Sequence, residues 1–444
     1  MKNVRGAARI GAVMGILGLL TVTACSNPGA GHDSRPPGDK KATVQAGELT
    51  VWTNSADPES IRNVYKRFGD KYGVKMNIVE IAADGFENQV QTKWAGGDRP
   101  DILEYHATSA FWALNPARNM LDLSNMPYVA KSGDLYQHVG AYREKVYAAV
   151  TQSPGLFGIF YNKKVLNKAG LQAPKTYDDL SHICSVLKVK APGVNPLWES
   201  GGSQWPTQIL GGILYLSSAQ KRDDWGQRVM DKRAALDERG SPFVAGASAY
   251  ERLRKDGCFN KDATTATFEA SARSVADGSS AMVALGSDLS PFNQEFGDDT
   301  QKTDATIGFA AVSADGPVAT WAPNVSGTWY VPRSGDEKRQ STALSFIKYA
   351  TGEGYQQYVD ESKTAPLLAG FKDPAEVQQL QQQITEAYKT DAALAFNTNL
   401  VGFSSQFPAY TTGILSGQES PEAVARKAQT AFEQGATSAG LPGW

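Results

Sequence analysis

The sequence predicts an α/β protein of two lobes. The first part of the chain alternates β-rich runs with helix-periodic stretches, which is the pattern of a sheet covered by helices. A break at Pro154 and Gly155 is followed by a new strand and a new helix. The 444 residues are enough for two domains, and a content of 41% hydrophobic and 20% charged residues is typical of a soluble globular chain.

The first predicted lobe begins with three strands separated by two helices. The β-rich runs are 48–53, 74–80 and 101–105. Between them, apolar residues recur at helical spacing in 61–68 and in 86–94. This order favours parallel strands connected by right-handed crossovers, and the ligands of such sheets bind outside the carboxyl ends of the strands.

Candidate ligand contacts therefore lie where these three strands end. Trp52 and Asn54 lie at the end of the first strand, Asp84 and Phe86 follow the second, and Tyr105 ends the third. An aromatic residue at any one of these places is as often a core residue as a ligand contact. Their shared position at strand ends favours a role in binding.

The stretch 150–171 marks the passage from one lobe to the other. Pro154 and Gly155 interrupt the chain, and 156–161 is a short apolar run typical of a buried strand. Asn162 is a suitable N-cap for a short helix, which Gly170 would end. A second α/β unit is predicted to start here.

This stretch resembles part of a known family. Residues 160–166 (Phe-Tyr-Asn-Lys-Lys-Val-Leu), 169–171 (Ala-Gly-Leu) and 174–180 (Pro-Lys-Thr-Tyr-Asp-Asp-Leu) resemble the start of the second lobe in solute-binding proteins of ABC importers. The nearest branch binds sugars and is similar to maltose-binding protein. The resemblance covers nearly all of the chain from Glu48 onward. It implies a periplasmic-binding-protein-like fold in which about three crossovers join two lobes around a central cleft. The lobes would close on a ligand about a hinge.

The resemblance also implies partners and boundaries. The chain would bind a sugar or an oligosaccharide and deliver it to the permease subunits of an ABC importer, as a monomer, without a cofactor, a metal or a catalytic step. Lobe 1 would comprise 48–153 and 325–350, lobe 2 would comprise 156–320 and 355–444, and the hinges would lie near 154–155, 321–324 and 351–354.

A glycine-rich loop in the second predicted lobe is the strongest single candidate for a ligand site. Around a sharp Gly-Gly turn it holds two tryptophans, a glutamate and a glutamine, namely Trp198, Glu199, Gln204 and Trp205. Aromatic rings cover the apolar faces of a sugar, and polar side chains satisfy hydroxyls that are costly to bury. The alternative is a structural turn with buried tryptophans.

The resemblance implies further contacts. A short apolar strand that ends in glycine precedes Ser287 and Asp288, where many relatives place tryptophan, which suggests a different sugar or fewer stacking contacts. Gly327 and Trp329 lie in the strand expected to return to lobe 1. Phe403 matches the position of a C-terminal contact aromatic of the family.

The N-terminus predicts export and a lipid anchor. Basic residues precede an apolar run in 1–24, which is typical of a signal peptide. The sequence Val-Thr-Ala-Cys that ends at Cys25 resembles the lipobox of bacterial lipoproteins, which implies cleavage before Cys25 and acylation of that residue. The protein would face the extracellular or periplasmic side of the cell membrane, on a flexible tether spanning 25–47. The alternative is a plain signal peptide with an incidental cysteine.

The remaining cysteines, Cys184 and Cys258, both lie in the second predicted lobe. In an exported protein an even pair favours a disulfide, and the alternative is two separate buried thiols. Their spacing does not suggest a metal site.

The sequence offers little support for catalysis. It holds no Gly-x-Ser-x-Gly, no phosphate loop, no dinucleotide fingerprint and no His-Glu-x-x-His. A net charge of −2 gives no electrostatic case for nucleic acid. Asp101, Glu199 and Asp288 could serve a glycosidase, which needs two carboxylates, although nothing in the sequence pairs them. Two alternatives stay open, a surface-anchored glycoside hydrolase and a non-transport sensor that uses the same binding fold.

Overall fold

The computed structural model describes residues 42–313, 318–320, 325–394, 400, 406–438, 440–441 and 443–444. The predicted signal peptide, Cys25, the expected hinge at 321–324 and Phe403 lie outside the described residues. Within the described ranges the strands are β1 (Glu48–Asn54), β2 (Lys75–Ile81), β3 (Ile102–Glu104), β4 (Ala141–Tyr142), β5 (Lys145–Val146), β6 (Ala149–Val150), β7 (Phe157–Asn162), β8 (Met282–Gly286), β9 (Ile307–Ala310), β10 (Val318–Thr320), β11 (Thr328–Tyr330) and β12 (Ala392–Leu394).

The strands form two main sheets. The first has the order β2-β1-β3-β11-β6, in which β1 is parallel to β2 and β3 as predicted, and β11 is antiparallel to β3 and β6. The second has the order β8-β7-β9, with β7 antiparallel to both neighbours. The hairpin of β4 and β5 and the parallel pair of β10 and β12 are separate from these sheets.

Helices carry most of the remaining described chain. They are α1 (Glu59–Tyr72), α2 (Phe86–Ala95), α3 (Pro116–Asn119), α4 (Leu135–His138), α5 (Lys163–Ala169), α6 (Tyr177–Lys190), α7 (Leu214–Asp223), α8 (Trp225–Met230), α9 (Pro242–Lys255), α10 (Glu269–Asp277), α11 (Ser290–Glu295), α12 (Thr300–Thr306), α13 (Glu337–Ala350), α14 (Tyr355–Ser362), α15 (Gln379–Asp391), α16 (Phe407–Ser416) and α17 (Pro421–Ser438). A 3-10 helix spans Ser109–Leu114, and a π-helical turn at Ile209–Ile213 leads into α7.

Local signals in the sequence explain where several helices begin and end. The side chain of Asn162 accepts two backbone hydrogen bonds from the first turn of α5, at 3.0 and 3.1 Å, and Gly170 ends that helix with a φ of +74°. Thr176 and Asp179 form a reciprocal capping box at the start of α6. Both devices satisfy backbone groups that have no partner within the helix.

The first sheet is covered on both faces and forms the first lobe. Alternate residues of a strand point to opposite faces, so Val51 and Trp52 enter different cores. Val51 packs with α1 and α13, whereas Trp52 packs with residues of α2 such as Val90. The second sheet builds the second lobe, whose core also includes residues of α6, α9 and α17.

The chain first passes between the lobes after β6 and before β7. The third crossover was expected at 351–354, and this prediction is wrong. Tyr355 and Leu368 belong to the core of the first lobe, because α14 packs its apolar face against α1. Leu380 of α15 belongs to the core of the second lobe. The chain therefore crosses between Leu368 and Leu380, after the helix that was assigned to the second lobe.

The predicted tether, 25–47, extends too far along the chain, because its last residues belong to the first lobe. The backbone N–H groups of Gln45 and Ala46 each donate to Thr342 Oγ1 on α13, both at 2.9 Å. Ser341 Oγ donates to the carbonyl oxygen of Thr43 at 2.8 Å. Hydrogen bonding, which the polar composition of this segment permits, thus attaches residues 43–46 to the first lobe.

A disulfide joins Cys184 of α6 to Cys258, which follows α9. Both cysteines lie in the core of the second lobe, and they are 74 residues apart in sequence. A crosslink over that separation restricts the unfolded chain substantially.

Candidate ligand-binding site

The carboxyl ends of β1, β2 and β3 lie at one edge of the first sheet, because these strands are parallel. Asn54 is half-buried there, and its Oδ1 accepts a hydrogen bond from Ala56 N at 2.8 Å. His106 is also half-buried, and its Nε2 contacts the carboxylate of Glu87 on α2. Burial raises the pKa of Glu87, but the charge of His106 and its hydrogen bond outweigh that effect and hold the pKa below its ordinary value.

Two carboxyls are buried together at this edge, and we call Asp57 and Glu104 the acid pair. Glu104 is 0% exposed and Asp57 is 5% exposed. Thr53 Oγ1 lies 2.7 Å from Glu104 Oε2 and also contacts a carboxylate oxygen of Asp57. The N–H of Gly327 donates to Glu104 Oε1 at 2.6 Å. Desolvation raises the pKa of Glu104 well above its ordinary value, and the charge of Asp57 is the second cause of this increase.

In the second lobe, the glycine-rich loop packs closely on the segment 263–267. A Cβ on Gly202 would lie 2.6 Å from the carbonyl oxygen of Thr265, so only glycine fits without movement. The N–H of Gly202 donates to the carbonyl oxygen of Ala266 at 2.9 Å. The turn that follows leaves Gln204 exposed, with a φ of +60°.

The two lobes approach each other at Asp84 and Ser203, whose Oδ2 and Oγ atoms are 3.4 Å apart. Ser203 Oγ also accepts a hydrogen bond from Phe268 N at 2.9 Å. The half-buried rings of Trp205 and Phe268 have centroids 4.9 Å apart. Burial, followed by the charge of Glu269, raises the pKa of Asp84. A carboxylate of one lobe thus meets a hydroxyl of the other, and that hydroxyl accepts a hydrogen bond from the backbone of one of the two ring residues.

Most of the predicted aromatic contacts are buried in the cores of the lobes. None of the following is more than 9% exposed: Trp52, Phe86, Tyr105, Trp198 and Trp329. The indole N–H of Trp329 donates to Tyr65 Oη at 2.8 Å, and its ring packs edge-on against Phe346 of α13. Four of these residues belong to the two cores of the first lobe and Trp198 belongs to the core of the second lobe, and ligand contact by the five residues stays a prediction.

Three other predicted contacts have structural environments of their own, and their role in binding stays a prediction. Glu199 is 3% exposed, and burial raises its pKa to about 8. Ser287 Oγ accepts a hydrogen bond from Leu156 N in the first crossover, at 3.0 Å. Gly327 has a φ of +76°, and a Cβ there would lie 2.5 Å from Thr151 Oγ1. These residues hold a loop or a crossover in place.

The other predicted contacts within the described residues are less buried and also stay predictions. They are Asn54, Asp84, Gln204, Trp205 and Asp288, each half-buried or exposed. Asp288 Oδ1 accepts a hydrogen bond from Ser290 N at 2.9 Å, which fixes the start of α11. The structure brings Asp84 to the loop that carries Gln204 and Trp205.

Sequence reasoning missed Ser203, Phe268 and the acid pair. Ser203 lies within the loop that was singled out, so its neighbours were a usable signal. Glu104 stands inside an otherwise apolar strand, and a charged residue at such a position is rarely buried without partners. Phe268 carries no comparable signal, because only the fold brings it to Trp205.

A comparison with known families places the chain. The family described as bacterial extracellular solute-binding protein matches residues 63–386. The chain belongs to this family. Two solved structures share the fold of this solute-binding protein. One is a chitin oligosaccharide binding protein, with a TM-score of 0.74, 18% identity and coverage of 88% of this chain and 99% of that one. The other is the solute-binding protein RafE in complex with raffinose, with a TM-score of 0.70, 18% identity and the same coverage.

Curated relatives match this solute-binding protein over part of their length. The multiple sugar-binding protein of Streptococcus mutans is 24% identical over 196 residues, which is 44% of each chain. The chain spans about half the length of the curated relatives it matches. Among the helices in the described part of the chain, none is both long enough and apolar enough to span a bilayer.

Proposed function

We propose that this protein captures a sugar or an oligosaccharide between its two lobes and delivers it to the permease subunits of an ABC importer. The observation that carries the proposal is the approach of Asp84 to Ser203 across the lobes, beside the rings of Trp205 and Phe268. Its support is the membership of an extracellular solute-binding family and the similarity to proteins named for raffinose, for chitin oligosaccharides and for multiple sugars.

The chemistry of these groups suits a sugar. A sugar ring has apolar C–H faces, which the Trp205 and Phe268 rings can cover, and hydroxyls around its edge. The carboxylate of Asp84 and the exposed amide of Gln204 can satisfy such hydroxyls, whose burial is otherwise costly. A ligand that touches both lobes at once favours the closed arrangement, because only that arrangement offers both sets of contacts.

The proposal is binding without bond cleavage. A glycosidase needs two carboxyls on either side of the scissile bond. Asp101 instead accepts a hydrogen bond from Arg339 Nε at 3.0 Å, just before the amino end of β3. Glu199 is buried in the second lobe, and Asp288 caps the backbone of Ser290. These three carboxyls therefore lie in three separate environments.

Titration calorimetry with a sugar panel tests the proposal. Raffinose, stachyose, maltose and chitin oligosaccharides form the panel, and we expect saturable one-to-one binding of at least one of them. Chromatography of the mixtures should show the sugars intact. Absence of binding by every sugar would contradict the proposal, and release of shorter sugars would favour the hydrolase.

Substituting Trp205 should weaken that binding selectively. Trp205→Leu removes one flat ring, and we expect affinity for the bound sugar to fall about tenfold, which corresponds to roughly 1.4 kcal/mol. Trp444→Leu is the matched control, because the Trp444 ring packs on Phe432 in the same lobe. Equal effects of the two substitutions on affinity would count against a site at Trp205.

The proposal includes a monomer anchored to the cell membrane through acylated Cys25. Its support is the lipobox-like sequence that ends at this residue. Cys25→Ala should move the protein from the membrane fraction to the medium or periplasm, and mass spectrometry should detect acyl groups only on the wild-type N-terminus. Retention of the variant in the membrane fraction would refute the anchor and leave sugar binding untouched.

A further inference from the structure

The acid pair contacts a single hydroxyl, which has too few hydrogens to donate to both carboxyls. The hydroxyl of Thr53 has one hydrogen, yet its oxygen contacts a carboxyl oxygen of Asp57 and one of Glu104. If both carboxyls were ionised, one of these contacts would join two oxygens with no hydrogen between them. A proton on one carboxyl supplies the missing donor.

We propose that Asp57 and Glu104 share one proton at neutral pH and act as positioning residues for the crossovers between the lobes. Ser326 Oγ donates to Asp57 Oδ1 at 2.5 Å. Gly327 N donates to Glu104 Oε1 at 2.6 Å. The protonated pair therefore fastens the backbone at the point where the second crossover enters the first lobe.

A chain of hydrogen bonds connects the backbone at Gly327 to the other crossovers. The carbonyl oxygen of Gly327 accepts from Thr151 N at 3.2 Å and from Thr151 Oγ1 at 2.8 Å, in the first crossover. The carbonyl oxygen of Thr151 accepts from Tyr355 Oη at 2.7 Å. The Tyr355 oxygen in turn accepts from Leu367 N at 2.9 Å, shortly before the third crossover. The state of the acid pair is thus connected to all three passages.

Among the residues that the structure describes, the contacts of the pair include no positive charge to balance a second negative one. Tyr65 of α1 is the titratable neighbour. Burial is the main cause that raises its pKa, and the charges of Glu104 and Asp57 raise it further. Within the described ranges, neither carboxyl forms an ion pair with lysine, arginine or histidine. Loss of the shared proton would leave two negatively charged carboxylates in contact with one buried hydroxyl. Their repulsion would weaken the hydrogen bonds that Ser326 and Gly327 donate to the pair.

The direction of the pH effect follows from proton counting. Above the ordinary carboxyl pKa, the unfolded chain has lost both protons, whereas the native pair keeps one. The native state then binds more protons, so the stability that the pair confers falls as pH rises from the ordinary carboxyl pKa through the raised pKa of Glu104. The fastening is strongest on the acid side of this window.

Amide hydrogen exchange of the full chain tests the inference without any sugar. After correction for intrinsic rates, protection of residues 326–331 in the wild type should fall at least tenfold between about pH 6 and pH 9. Glu104→Gln has a permanent N–H donor and keeps an acceptor for Gly327, so its protection should stay constant over the same range. Glu199→Gln changes a buried glutamate of the other lobe and should retain the wild-type slope.

Two results would overturn the inference. One is constant wild-type protection of 326–331 across the pH range, and the other is the same slope in wild type and Glu104→Gln. If Glu104→Gln does not fold, infrared spectroscopy of Glu199→Gln at neutral pH decides, because a protonated carboxyl band is then expected from the acid pair. Absence of that band would also overturn it.

Discussion

Glu104 of the first lobe and Glu199 of the second are both buried glutamates, but their surroundings differ. Glu104 accepts hydrogen bonds from Thr53 Oγ1, from Gly327 N and, at 3.3 Å, from Asn54 N. Within the described part of the chain, Glu199 Oε2 has no hydrogen-bond partner. Burial alone does not reveal what a carboxyl does. The partners of Glu104 indicate a role in holding backbone, whereas the hydrogen bonds of Glu199 to Tyr250 and to the backbone of Ser200 do not outweigh the effect of burial on its pKa.

Glu104→Ala should have the largest effect. It removes the acceptor of the backbone N–H groups of Gly327 and Asn54, and it leaves Asp57 as the carboxyl partner of Thr53. We expect a loss of about 3–5 kcal/mol in the free energy of unfolding, measured by urea denaturation. Glu104→Gln, which preserves an acceptor, should lose much less. A loss below about 1 kcal/mol in Glu104→Ala would contradict the structural role given to Glu104.

Glu199→Gln should stabilise the protein relative to the wild type at alkaline pH, whereas Glu104→Ala destabilises it. Burial raises the pKa of Glu199 to about 8, so the native state keeps a proton that the unfolded chain loses above its ordinary carboxyl pKa. Stability linked to Glu199 is therefore present at low pH and is lost as pH rises toward about 8. Relative to the variant, the wild type should lose roughly 4 kcal/mol between about pH 4.5 and pH 8, since one pKa unit corresponds to about 1.4 kcal/mol. Parallel pH profiles of the two proteins would refute this.

Gly327→Ala should give a smaller loss that arises from the backbone at the acid pair. Its positive φ disfavours a side chain, and the added Cβ would meet Thr151 Oγ1. We expect about 2 kcal/mol of destabilisation. Gly73→Ala is the matched control, with a φ of +66° and no atom within 4 Å of its Cβ, and should cost about 1 kcal/mol. Equal losses in thermal or urea unfolding would show that the close approach to Thr151 has no energetic consequence.

Local structure was largely predictable from the sequence. The parallel strands β1 to β3, the N-cap at Asn162 and the glycine that ends α5 depend on residues close together in the chain, so periodicity and capping chemistry identify them. The place where the chain finally leaves the first lobe was not predictable in this way. Two glycines after α13 look like a passage, and only the packing of α14 on α1 shows that the chain turns back.

The candidate site shows the same limit. Strand alternation tells which face a side chain takes, but the sequence of Trp52 or Tyr105 does not tell whether that face is covered. Helices cover it here, and both rings are buried. The interlobe contact of Asp84 with Ser203 joins residues more than a hundred positions apart, so it depends on the relative placement of two folded bodies.

Hydrogen exchange with and without the sugar that binds in calorimetry tests the central claim most directly. The account predicts that the sugar protects residues 82–87 of the first lobe and residues 201–206 and 266–270 of the second lobe together. Protection confined to one lobe, or located away from both segments, would contradict capture between the lobes.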